Sequence, residues 1–392
     1  MRVRCAMRDI ENDDTASLLA RRRHQPGSRL WPLLLGGLLL FATSASATVL
    51  PEDRSDMMYH SYDGGGVTVS GPALLVRKSV GDSVSLFGRY YVDTISSASI
   101  DVVTTASPYT DRREEYQVGI DYLHGSTLMG MSFSNSKETD YLADTLNLNV
   151  SQDLFEGLTT VSMGYSQGYD TIQPINSTEQ HDINRYKYRL GLTQVLTPTV
   201  QLGVSYEGIA EEGYLNNPYR YARVLGAFVP EVYPGTHDSQ ALAVRIIKGF
   251  SSGTRAVGES ARGEYRYYRD NWGITSNTLA LGYQRYFGTS LLGEVHYRFY
   301  QQSAASFYSD NFTSEMTYMA RDKELSTFKD NSLGLKLTWY FLNGKYAFVD
   351  RMSLNFAYDY IAFDYQDFTD VRTGQPYSFG ANILQLFISA WY

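Results

Sequence analysis

Apolar and polar positions alternate along this chain in one segment after another. Val84, Leu86, Tyr90 and Val92 interleave with Ser85, Phe87, Arg89, Tyr91 and Asp93, and Tyr116, Val118, Ile120 and Tyr122 with Glu115, Gln117 and Asp121. The same rhythm recurs over 146–151, 185–192, 200–207, 333–339 and 353–360. Period two sends successive side chains to opposite faces, so these segments predict half-buried β-strands. Each is about ten residues long, the length of a tilted membrane-crossing strand. No apolar run approaches the ~20 residues a membrane-spanning helix needs.

The connections support the same reading. Short turns are expected near Gly81-Asp82, His124-Gly125-Ser126, 153–157, Thr197-Pro198, 251–254, Gly288-Thr289 and 343–348. Long polar connections are expected over 96–112, 167–181, 211–237, 303–329 and 366–378, with short exceptions near Glu138-Thr139 and Asn271-Trp272. An outer-membrane barrel pairs short periplasmic turns with long external loops in this way. Fifteen segments read clearly. Placing both termini in the periplasm requires an even number, so a further strand is assigned over 57–62, before Gly64-Gly65-Gly66. The alternative puts that segment inside the lumen. The expected fold is therefore all-β, an antiparallel transmembrane β-barrel of about 16 strands, with 14–18 as the range. A soluble β-sandwich also alternates. Against it stand Tyr90, Tyr206, Tyr267, Tyr297, Tyr358 and Tyr360, placed near strand ends where amphipathic rings meet lipid headgroups.

The first 47 of the 392 residues read differently. Arg21, Arg22, Arg23 and Arg29 precede an apolar stretch over 30–41 that leads to Ala45-Ser46-Ala47. This is the plan of a secretory signal peptide cleaved after Ala47, leaving 48–392 as a single barrel domain. Met7 is an alternative start. Cleavage would remove the sole cysteine, Cys5, and with it any disulfide or lipid-anchor chemistry. It would also remove seven Arg and four acids, leaving 27 bases against 38 acids. A chain so acidic, with no basic block, is not built to bind nucleic acid. Composition points back to the barrel: 33 Tyr against 18 Phe, and 33 Gly, fit strands with one wet and one greasy face.

The chain ends on Leu384, Leu386, Ile388 and Ala390 at alternate positions, followed by Trp391 and Tyr392. This resembles the C-terminal signal by which outer-membrane proteins are handed to the barrel-insertion machinery, with Tyr where Phe is commoner. More broadly, several stretches resemble a proteobacterial family of outer-membrane proteins catalogued as a domain of unknown function (DUF3570). They are Met58-Tyr59-His60-Ser61-Tyr62-Asp63-Gly64-Gly65-Gly66-Val67, Leu74-Leu75-Val76-Arg77-Lys78 and Tyr90-Tyr91-Val92-Asp93, then the segment 97–109 and Arg113-Glu114-Glu115-Tyr116. The resemblance implies a barrel in the outer membrane of a Gram-negative bacterium and carries over no catalytic or ligand residue. Thioredoxin-like and flavin-transferase genes that often neighbour such genes imply a redox partner protein.

With Leu, Val and Tyr toward lipid, the opposite face lines a lumen. It carries Arg89, Arg185, Lys187, Arg189, Arg245, Arg262, Arg266, Arg298 and Lys336, against Asp93, Glu115, Asp121, Glu207, Glu264, Glu294 and Asp359. One reading is a transport channel whose charges select solutes, with Arg185, Lys187 and Arg189 as a ladder for anions. The other is a closed barrel, its charges paired across the lumen, that anchors a periplasmic or surface partner. The Tyr- and Pro-rich segment 211–237 is expected either to fold inward as a constriction, to present a partner surface, or to cap the mouth. Enzymatic signals are sparse. Gly81-Asp82-Ser83 sits where a turn needs Gly and Asp anyway. His296, read as the one inward histidine in mid-strand, lies two residues from Glu294 and Arg298 and could serve a general base, but no nucleophile accompanies it. Acids at Asp364, Asp367 and Asp370, and at Asp310 and Glu315, lack the spacing of a calcium loop. No cofactor or metal site and no enzyme activity are expected, with an outer-membrane hydrolase as the remote alternative.

Overall fold

Two glycines set the first hairpin. Gly65 and Gly66 adopt φ of 60° and 78°, and a two-residue turn of this hand requires positive φ at both central positions. They join β1 (Arg54–Gly64) to β2 (Val67–Val80) in the computed structural model. The structure describes residues 49–97, 100, 109–175, 177–250 and 258–392. The expected signal peptide, its cleavage point and the turn expected at 251–254 lie outside the described residues.

The chain continues through β3 (Val84–Ser97), β4 (Tyr109–His124), β5 (Thr127–Lys137), β6 (Tyr141–Leu154) and β7 (Thr159–Ile172). β8 (His181–Thr197) and β9 (Val200–Gly213) come next. A small hairpin, β10 (Tyr221–Val224) and β11 (Ala227–Pro230), stands apart before β12 (Thr236–Phe250). Then come β13 (Glu259–Asp270), β14 (Thr275–Phe287), β15 (Leu291–Gln302), β16 (Phe328–Tyr346), β17 (Val349–Asp370) and β18 (Gln375–Trp391). Each wall strand pairs antiparallel with its neighbour in the chain, β9 pairs with β12, and β1 pairs with β18 from Arg54↔Trp391 to Gly64↔Ala381. The result is a closed barrel of sixteen strands. The segment 57–62 is thus a wall strand and not a lumen insert.

The start of β1 and the end of β18 meet at one rim, the one expected to face the periplasm, and the described connections there are short. Gly81-Asp82-Ser83 is one of them, a turn with Gly81 at φ 67°. The external rim carries the long connections, but the one expected over 366–378 is replaced by structure. β17 runs on to Asp370 and β18 starts at Gln375, so this hairpin projects well beyond the sheet and ends in a tight turn. Its polar sequence concealed an aromatic ladder. Tyr365, Phe368 and Tyr377 are buried with Ile100, flanked by Phe328, Phe363 and Phe379. A bulge between Asp364 and Thr369 re-aims these rings. Of the acids here, Asp364 and Asp367 are exposed, Asp367 accepting the Thr327 N–H at 2.8 Å, while Asp370 holds Arg372 at 2.7 Å.

The outer face of the wall is greasy and exposed, with Leu86, Val118, Phe133, Leu190, Val244, Leu281, Val295 and Leu333 among its side chains. That is the face lipid would cover. The buried apolar clusters lie instead at the external end, within loops and strand extensions.

Candidate functional site

The inner face of the wall carries ion pairs that skip a strand. Neighbouring strands are ~4.8 Å apart, so a side chain reaches the second strand over only where side chains converge, on the concave face. His296 on β15 places Nε2 2.6 Å from Asp359 Oδ1 on β17. The strand between them has Gly334 at that level, in register with both residues. A Cβ on Gly334 would lie 2.1 Å from each bonded atom, so the contact exists because this position has no side chain. Arg262 on β13 likewise crosses β14 to Glu294 on β15 at 2.8 Å. It passes Gly282, where a Cβ would come within 2.7 Å of its Nε. Glu294 lies 3.7 Å from His296 Nδ1, so Arg262, Glu294, His296 and Asp359 form one band over five strands.

A second group sits on β7 to β13. Arg185 is held by Asp170 at 2.6 Å and Glu211 at 2.9 Å, while Lys187 Nζ is 2.6 Å from Glu207. Arg189 and Arg266 approach the same Glu207 at 3.4 and 3.6 Å. The expected ladder of three bases is therefore set against carboxylates on flanking strands, which alternation within one strand cannot reveal. Below it Arg245 pairs with Glu264 at 2.5 Å, and further round Arg298 pairs with Asp330 at 3.1 Å. Lys336 lies over the Phe387 ring and Arg89 over that of Tyr91.

A third group, on β1 to β4, is the most buried. His60 Nε2 is 2.8 Å from Asp93 Oδ1 and 3.0 Å from Tyr91 Oη, and its ring stacks on Tyr91. Arg113 bridges Asp93 and Glu115, and Arg77 binds Asp121. His237 is likewise clamped between Glu211 at 2.8 Å and Asp270 at 3.1 Å. So His296 is not the one inward histidine; His60 and His237 are inward too. Nothing near His60 in sequence marks it, since Asp93 is 33 residues away, and His237 falls at the end of a segment that reads as a loop. Asp111, Glu138 and Asp140 also come within 4.8 Å of one another at the external rim, from two separate strand ends.

The segment 211–237 caps the mouth together with the loop over 303–327. Val224 and Val232 bridge to Phe312 and Met319, and Tyr233, Trp272, Phe307, Ala320 and Leu325 bury one another. At one end the Tyr219 oxygen accepts the Ile175 N–H at 2.9 Å, in the β7–β8 connection. At the other, Arg321 donates from Nη2 to the Thr369 carbonyl at 2.7 Å, on β17. Six strands separate the β7–β8 pair from the β17–β18 pair in either direction round the ring, so the loops span the opening from side to side. Arg321 anchors the cap: it is buried over the Phe368 ring at 4.4 Å and 2.9 Å from Asp310. Arg220 binds Asp322 beside it. Glu231 is buried among these groups, accepting from the Arg321 N–H at 2.6 Å and the Tyr233 hydroxyl at 2.7 Å. Burial and the nearby Asp322 carboxylate push its pKa up to about 7.

At the periplasmic rim, Leu384, Leu386 and Ile388 face outward on β18 and Ala390 follows on the same face. Tyr392 closes the seam with its hydroxyl 3.1 Å from both Ser55 Oγ and the Arg77 carbonyl, under Lys78.

The profile of a family described as proteins of unknown function (DUF3570) matches this chain over residues 100–189 and 175–358. The chain belongs to that family. No curated protein matches it. Among solved structures it is similar to a bacterial polysaccharide outer-membrane secretin, at TM-score 0.51 and 5% identity, over 87% of this chain and 99% of that one. It also aligns with the outer-membrane protein OpdK from Pseudomonas aeruginosa, at TM-score 0.42 and 10% identity, over 87% and 99%. The siderophore receptor PirA from the same organism gives 0.44 and 9%, over 82% of this chain and 60% of the longer receptor. Such identities speak of the fold alone: this DUF3570 member is an outer-membrane β-barrel.

Proposed function

We propose that this barrel is a diffusion channel for small hydrophilic solutes, its external entrance narrowed by the loop cap. One observation supports it above the rest. Arg189 and Arg245, on the inner face, keep 54% and 39% of their side-chain surface in contact with solvent. A wall packed shut on itself would leave them none, and a barrel of about sixteen strands is wide enough to hold water inside. The cap favours a second reading, a closed scaffold that presents its loops to a partner.

Conductance of the detergent-purified protein in a planar bilayer separates the two. The channel reading expects steady single-channel steps, larger in Arg321→Ala, where the cap loses its anchor. Silence from both forms, with the barrel shown to be folded by its heat-modifiable mobility, would establish the scaffold.

A further inference from the structure

Three cations on the lumen wall share one carboxylate. Lys187, Arg189 and Arg266 all converge on Glu207, at 2.6, 3.4 and 3.6 Å. Three positive charges against one leave a local surplus of two. Up the wall the balance reverses, with Asp170 and Glu211 set against Arg185 and Asp270 against His237, so the surplus is confined to the level of Glu207. Asp170 and Asp270 are also buried in the wall, at 2% and 0% side-chain exposure, whereas Lys187 and Arg266 expose 35% and 34% and Arg189 more. A solute passing this level meets cationic tips, with the carboxylate beneath them.

We propose that Lys187, Arg189 and Arg266 form a binding site for a small oxyanion, a carboxylate or phosphate, in transit through the lumen. The proposal rests on the channel reading and names its solute class. Like charges gathered on one carboxylate repel one another, more strongly beside protein than in open water. An oxyanion entering among the three tips relieves that repulsion. Two of the three are guanidinium forks, whose paired N–H donors match the oxygens of carboxylate and phosphate. Charge at such a level sets which ions a pore prefers.

Two changes of opposite sign test it. In a bilayer under a KCl gradient, the native protein should prefer anions, and added inorganic phosphate should reduce its chloride current. The triple change Lys187→Gln, Arg189→Gln and Arg266→Gln should move the reversal potential toward cations and abolish the phosphate block. Glu207→Gln, which raises the surplus, should strengthen the block several-fold. Should the triple variant fail to fold, Arg189→Gln alone should weaken the block at least twofold. Block that is absent, that survives loss of these bases, or that weakens in Glu207→Gln as in the base variants would overturn the site. If folded protein carries no current, the channel reading fails and calorimetry with inorganic phosphate on the detergent-solubilised barrel decides the site. Heat lost in the base variants upholds it, and no binding to the native protein sinks it.

Discussion

At the scale of residues, the wall depends on side chains that are absent as much as on those present. Gly334 leaves the gap through which His296 meets Asp359. Gly334→Ala must push one of them aside and strand a buried polar group, at a cost of about 1–3 kcal/mol. Gly88 has nothing within 4 Å of a Cβ and ordinary backbone, so Gly88→Ala should change stability little. Urea unfolding in lipid vesicles checks the pair; equal losses would mean the gap has no such role. Facing can be tested in the same assay. Leu335 points outward and Lys336 inward on β16, so Leu335→Arg should cost about 2–4 kcal/mol at mid-bilayer and Lys336→Ala clearly less.

At the scale of elements, the cap is a small folded body with its own titration. Glu231 is buried with Tyr233, Arg220, Asp322 and the Arg321 backbone about it, and its pKa is pushed up to about 7. A carboxyl raised above its unfolded value near 4.5 binds its proton more tightly in the folded cap. Its contribution is therefore complete below about pH 4.5 and lost as pH rises through about 7, a change of about 3 kcal/mol. The cap should exchange its backbone protons faster, and be cut more readily by protease, at pH 8 than at pH 5. Glu231→Gln should flatten that dependence. Arg321→Ala should loosen the cap by about 3 kcal/mol, since it leaves Asp310 without its cation. Protease should then cut 303–327 while the barrel stays intact.

At the scale of the whole molecule, cap and wall should be separable in stability. The strand ladder is continuous round the ring, whereas the cap is tied to it through side chains and loop ends, with Tyr219 on Ile175, Arg321 on Thr369 and Trp272 in the cap's apolar cluster. Local opening of such a body needs far less free energy than unfolding a closed barrel. Conductance should therefore respond to cap variants with no change in the temperature at which the barrel loses its heat-modifiable form. A cap variant that melts barrel and cap together would show them to be one cooperative unit.

The sequence alone determined the barrel, because lipid on one side and water on the other force period two on every crossing strand. Val84 to Asp93 and Leu333 to Trp339 carry that signal without help from the rest of the chain. Parity along a strand also pointed to many of the charges on the inner face, though not to His60, Asp170, Glu211 or His237. Which charges meet was decided only by the tertiary structure. Glu207 gathers bases from β8 and β13, His60 finds Asp93 two strands away, and Gly282 and Gly334 open the way for their neighbours. Strand register fixes those encounters, and register is a relation between segments that no single segment encodes. The cap was hidden for a related reason. Its polar, Tyr- and Pro-rich loops have no period to read, and their few apolar side chains form a core only when brought together over the mouth.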